Sequence, residues 1–167
     1  MNAMREIKVE KIVMNMGCGD AGEKLEKAQK LLATVTGKKV TVTHTHDRTR
    51  FGMPKGRQIG VKITFRGKEA EDMLKRLLDA VDNKLRKKTF DKQGNFSFGI
   101  KEYVDIPGTK YDPNMGMYGM DVCVTLMRPG FRVKRKRNGN KVGKKHRITS
   151  DEAREFIVKK YNIKVEE

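Results

Sequence analysis

Apolar and polar residues alternate along this chain in two different periods, and the points where the period changes mark its elements. Residues 7–16, IKVEKIVMNM, read as a first strand. From 23 to 35 the period lengthens: Leu25, Ala28, Leu31, Leu32 and Val35 fall on one helical stripe, and Gly37 closes it. Residues 39–46, KVTVTHTH, and 58–66, QIGVKITFR, return to strict alternation, as strands with one dry face do. The spacing of Met73, Leu74, Leu77, Leu78, Val81 and Leu85 predicts the longest helix, over 68–87. Two more alternating runs follow at 95–104 and 119–127. A last helix is predicted to start at Thr149, where Thr149 and Glu152 make a capping box ahead of a stripe of Ala153, Phe156, Ile157 and Tyr161.

This order predicts an α+β fold: a mainly antiparallel five-stranded sheet with helices packed on one face, plus a basic arm and a C-terminal helix. Three parts are expected: an α+β body over 1–127 with a hairpin loop at 47–57, a basic arm over 128–147, and a C-terminal helix and tail over 148–167 packing on the body. The apolar register assigns Ile59, Val61, Ile63 and Phe65 to the core, with Phe96, Phe98 and Ile100, and Met120, Val122, Val124 and Leu126. The opposite register holds Lys11, Asn15, Thr41, Thr43, Thr45, Lys62, Thr64, Arg66, Ser97 and Lys101. Cations interleaved with small hydroxyls and an amide suit phosphate and ribose 2′-OH groups. Exposed strands also favour Thr and Lys through β-propensity alone, so the face by itself does not decide.

Charge decides. The chain has 38 Lys+Arg against 21 Asp+Glu, a formal net charge of +17. Ten of the cations lie in Arg128–Arg147, RPGFRVKRKRNGNKVGKKHR, which has no acidic residue. Without that segment the balance is 28 − 21, still +7. A basic body with a strongly basic arm is the footprint of a nucleic-acid binder. The arm is expected to stay mobile until a polyanion neutralises it, with Arg128, Arg132, Lys134, Arg135, Lys136 and Arg137 as RNA contacts. A membrane is the rival polyanion, but there is no apolar run of spanning length, signal peptide or lipidation motif. The two cysteines, Cys18 and Cys123, stand far apart and suggest a reducing cytosol.

No catalytic constellation stands out, and no metal or cofactor is expected. Gly17-Cys18-Gly19-Asp20-Ala21-Gly22 fits a dinucleotide fingerprint between strand and helix. The next strand, half Thr and His, runs straight into another strand, which a doubly wound nucleotide fold does not allow. His44, His46 and Asp47 suggest a metal, but a third ligand is needed and no other His/Cys/Asp cluster offers one. Gly94-Asn95-Phe96-Ser97-Phe98-Gly99 faintly echoes a base-stacking motif that would turn Phe96 and Phe98 outward. The loop carries Arg48, Arg50, Lys55 and Arg57 around Phe51 and Met53, which are expected to be exposed at its tip. Such a surface suits a backbone-holding contact with apolar packing against ribose, base or protein. A free-standing RNA chaperone or accessory protein would share the charge and the arm without needing this tip.

Several long segments together resemble one family: VEKIVMNMGCGDAG (9–22), TGKKV (36–40), IGVKITFRG (59–67), FDKQGNFSFGIKEYVDIPG (90–108), YDPNMGMYGMDV (111–122), RPGFRVKRK (128–136) and KHRI (145–148). The chain resembles the large-subunit ribosomal protein five family, the 5S rRNA-binding proteins, in its archaeal and eukaryotic branch. The resemblance implies a non-enzymatic protein of the cytoplasmic ribosome. It implies that the protein binds 5S rRNA into the central protuberance beside 23S-type rRNA and neighbouring large-subunit proteins. It also implies a loop that touches P-site tRNA and a small-subunit head protein as an inter-subunit bridge. The positions it carries over are Asn15, Thr43, Thr64, Arg66 and the loop 47–57. The chain departs from the family pattern at His44, where Lys is usual, and at Gln58, where Pro commonly precedes Ile-Gly. The helix that leads bacterial members is not seen ahead of the first strand.

Overall fold

The computed structural model describes residues 2–19, 21–48 and 52–166. Arg50 and Phe51 of the loop, and Asp20 of the fingerprint, lie outside the described residues. The elements run β1 (Lys8–Gly17), α1 (Glu23–Thr36), β2 (Thr41–His44), β3 (Gln58–Arg66), α2 (Lys68–Asp79), β4 (Lys84–Arg86), β5 (Phe96–Ile100), β6 (Met120–Met127), α3 (Ser150–Tyr161) and β7 (Lys164–Glu166). The fold is α+β as expected. Its five-stranded sheet, mainly antiparallel, has the order β2-β3-β1-β6-β5, and β4 and β7 form a separate parallel pair.

Chain contacts divide into two compact units. One comprises Met1–Ile12, Phe65–Phe98 and Cys123–Glu167; the other comprises Val13–Thr64 and Gly99–Val122. In the second unit, all five stripe residues of α1 are buried, and Gly37 ends the helix in the left-handed conformation, at φ 65°. That conformation lets the Gly37 N–H reach back to the Ala33 carbonyl at 2.8 Å, which a residue with a Cβ adopts only with strain. In the first unit, α3 opens on the predicted capping box: Thr149 Oγ1 accepts from Glu152 N–H at 3.4 Å, and Glu152 Oε2 accepts from Thr149 N–H at 3.0 Å. Ala153 and Ile157 are buried beneath α3, and Phe156 and Tyr161 half-buried.

The strand registers fall as read. Val61, Ile63 and Phe65 are buried while Lys62, Thr64 and Arg66 are exposed. Phe96 and Phe98 are buried and ring-stacked, with centroids 6.3 Å apart, so the base-stacking alternative for that strand is excluded. On β6, Met120, Val122, Val124 and Leu126 are buried and Cys123 is exposed.

Four expectations need correction. The second helix ends at Asp79, not near 87. Asp82 and Asn83 take left-handed conformations, at φ 54° and 56°, and Asn83 N–H caps the Leu78 carbonyl at 3.0 Å. Asp and Asn tolerate that geometry better than most residues, so they stop the helix although Leu85 keeps its spacing. Leu85 is buried instead on β4, opposite Val165 of β7. Second, β2 is shorter than its alternating run, because the pairing with β3 shifts between Thr43 and His44. An irregularity of this kind re-aims the residues that follow. Thr45, expected on the polar face, is therefore buried. Third, Met53 is half-buried rather than exposed at the loop tip. Fourth, the run 95–104 is a strand only to Ile100, and Tyr103–Asp105 form a single helical turn.

Gly60 shows how closely the second unit is packed. A Cβ there would stand 2.6 Å from the Met16 carbonyl oxygen and 3.1 Å from Thr43 Oγ1. The first neighbour is backbone and has no rotamer with which to move aside. Gly60→Val is expected to lower stability by about 2–3 kcal/mol, as overpacking against rigid neighbours does. Urea unfolding checks this, and an unchanged midpoint would show that the two strands part freely.

Candidate nucleic-acid interface

Each unit carries part of the polar register. In the second unit, Thr41 of β2 pairs directly with Lys62 of β3, and Thr43 with Gly60. Directly paired residues project to the same side, so Thr41 and Lys62 stand together and exposed, and Thr43 leans over the space that Gly60 leaves. Thr64 continues the exposed row, and Asn15 on β1 is half-buried. His44 is exposed at the end of β2. In the first unit, Lys11 is half-buried and Arg66 exposed. The register therefore presents ammonium, guanidinium, hydroxyl and amide groups, a set of donors for phosphate and 2′-OH groups.

The arm is not a free tail. Phe131–Arg135 and Lys144–His146 form single helical turns, and the two ends of the segment are fastened together. Arg128, grouped above with the RNA contacts, is only 6% exposed. Its Nε donates to the Arg5 carbonyl at 3.1 Å, and Nη1 to the carbonyls of His146 and Arg147 at 3.4 and 3.2 Å. Its Nη2 donates to Glu152 Oε1 at 2.9 Å. The buried guanidinium is tolerable because its donors find these acceptors. His146 Nε2 lies 2.9 Å from the Pro129 carbonyl, which only accepts, so that nitrogen carries the proton. The Thr149 backbone N–H, and then Arg128, hold the Glu152 carboxyl below the usual glutamate range against the opposing effect of partial burial. Between these fixings, Arg132, Lys134, Arg135, Lys136 and Arg137 are all exposed.

The loop is fastened at its root. Thr45 Oγ1 donates to the Pro54 carbonyl at 2.7 Å and accepts from Arg57 N–H at 3.0 Å. Thr45 N–H and C=O bond Arg57 and Gly56 at 2.9 and 3.0 Å. Arg48, Lys55 and Arg57 are exposed. The fingerprint segment is bound within the protein: the N–H groups of Cys18 and Gly19 both donate to the Ile59 carbonyl, at 2.9 and 3.1 Å. Among the described residues, no group of three or more His, Cys, Asp or Glu is arranged to hold a metal. Nor, among them, is any helix long and apolar enough to cross a membrane.

One feature escaped sequence reading. Glu10 is buried on β1, where both Arg66 and Arg135 reach its carboxylate. The available signal was a lone carboxylate in the register of Ile12, Met14 and Met16.

An α+β sheet with a cationic, hydroxyl-bearing outer register and a fastened basic arm has the chemistry expected of a nucleic-acid-binding protein. Comparison with known proteins is specific. The profile for the C-terminus of the ribosomal L5 family matches residues 58–165, and the profile "Ribosomal protein L5" matches residues 2–50. The chain is 47% identical over 170 residues to large ribosomal subunit protein uL5 of Sulfurisphaera tokodaii, covering 100% of this chain and 96% of that protein. It is 44% identical over 164 residues to the uL5 protein of Cenarchaeum symbiosum, with 97% of each chain covered. With the uL5 protein of Pyrobaculum aerophilum it shares 46% identity over 165 residues, covering 98% and 92%. The chain belongs to the ribosomal protein L5 family, whose members are structural proteins of the ribosome and not enzymes.

Proposed function

We propose that this protein works in the large subunit of the cytoplasmic ribosome, where it binds 5S rRNA and attaches it in the central protuberance beside 23S-type rRNA and neighbouring proteins. The observation that carries the reading is the outer register. Asn15, Thr43, Lys62 and Thr64 in one unit, and Lys11 and Arg66 in the other, offer donors and almost no competing acid. The arm 128–147 adds phosphate contacts through Arg132, Lys134, Arg135, Lys136 and Arg137, while Arg128 serves the fold.

Asn15→Ala is expected to weaken 5S rRNA binding by about 1–3 kcal/mol, the range for a lost buried polar contact. Cys123→Ala, exposed on β6 but without a strong donor, is expected to change binding little. Filter binding with 5S rRNA tests the pair, and equal effects would remove the face from the binding site.

The loop 47–57 has a separate task in this reading: contact with P-site tRNA and with a protein of the small-subunit head. Its tied root and its exposed cations Arg48, Lys55 and Arg57 support this, and Arg50 and Phe51 belong to the same proposed surface with Met53. Arg48→Ser/Lys55→Ser is expected to leave 5S rRNA binding intact and to weaken subunit association or P-site tRNA retention in ribosomes carrying it. Loss of 5S rRNA affinity, with association and retention unchanged, would assign the loop to the 5S site instead.

A further inference from the structure

Glu10 is the one buried carboxylate among the described residues. Its side chain is 7% exposed; one oxygen lies 3.8 Å from Arg66 Nη1, and the other touches Arg135 Nη2. All three residues belong to the same compact unit. A carboxylate taken from water needs a cation, and one guanidinium is enough to neutralise it. Here two converge on it, one from the end of β3 and one from the arm, leaving a positive charge in excess. Both side chains remain open to solvent, at 60% for Arg66 and 49% for Arg135. A guanidinium is a planar fork with more donors than one carboxylate oxygen takes, so donor edges of both forks stay free.

We propose that Arg66 and Arg135 act as one clamp for a single RNA backbone phosphodiester, and that Glu10 is the positioning residue that sets the two forks before RNA arrives. The proposal rests on the RNA-binding function above and adds the site's ligand chemistry and the residue that builds it. Two guanidiniums drawn to one carboxylate can each offer a donor edge to one of the two non-bridging oxygens of a phosphodiester. Long arginine side chains lose rotamer freedom on binding, and Glu10 removes much of that freedom in advance.

Glu10→Gln gives a test that depends on sign. Removing a negative charge beside a polyanion strengthens binding if Glu10 only repels RNA. The clamp requires the opposite: affinity for transcribed 5S rRNA falls by about fivefold or more, as expected when two charge-assisted contacts lose their orientation. The same change made in Arg66→Ala/Arg135→Ala must then have no further effect. Arg66→Lys/Arg135→Lys, which keeps both charges but removes the forks, must lose affinity as well. Circular dichroism and thermal unfolding report whether each variant folds. If Glu10→Gln does not fold, the double lysine variant decides alone, since both of its sites are open to solvent. Tighter or unchanged binding by Glu10→Gln, or full affinity in the double lysine variant, overturns the clamp. Failure of the underlying function is a separate result: wild-type protein would then bind an unrelated hairpin RNA as well as 5S rRNA, while the ranking of variants on either RNA still tests the clamp.

Discussion

Exchanging Arg132, Lys134, Lys136, Arg137, Lys141 and Lys144 for serine is expected to flatten the salt dependence of RNA binding by about 4–5 in log–log slope. All six side chains are exposed on the arm, so each is free to displace a counterion from a phosphate. At about 0.1 M salt the affinity is expected to fall on the order of a thousandfold. The variant keeps Arg128 and Arg135, so the fixings of the arm and the partners of Glu10 stay in place. Stability should hardly change. Titration of RNA at several salt concentrations measures the slope, and an unaltered slope would reduce the arm to a solubility device.

Arg128→Ala is expected to do the reverse, with a large effect on stability and little on the slope. The substitution strands the carbonyls of Arg5, His146 and Arg147 and removes the partner of Glu152. Breaking a fully buried ion pair costs about 3–5 kcal/mol. The Glu152 side chain is 44% exposed and water shares its charge, so about 2–4 kcal/mol is the reasonable range here. Arg128→Lys should recover little, because one ammonium cannot replace a fork that reaches four acceptors. Urea denaturation measures the loss. A stable Arg128→Ala protein with a reduced salt slope would return Arg128 to the RNA contacts.

Neighbouring residues carried most of what could be read in advance. The α1 stripe, the capping box at Thr149 and the register of β3 depend on spacings of two to four residues, and the structure keeps all three. The misreadings came where a distant partner decides. Leu85 has helical spacing from Leu78, yet its place is set by β7, far along the chain. Thr45 sits in an alternating run, but the slipped pairing at His44 turns it inward to hold the loop root. Arg128 opens a run of cations and resembles them in composition. Only its position before Pro129-Gly130, within reach of Glu152, sets it apart. The donor set of the outer register was legible for the same reason as the strands. Glu10 was not, because its meaning depends on two arginines that sequence places far away.

The fastening of residues 128–147 makes the arm a ring rather than a string. Closing a loop of that length costs about 2–3 kcal/mol of chain entropy, beyond a constant term. Arg128 and the Pro129–His146 contact meet that cost during folding, in the absence of RNA. An unclosed arm with the same charges would meet part of it at the moment of binding. Ring closure therefore shifts an entropic penalty from association to folding. If the arm holds RNA as proposed, loosening the ring is expected to lower affinity while leaving the salt slope, which counts the charges, nearly unchanged.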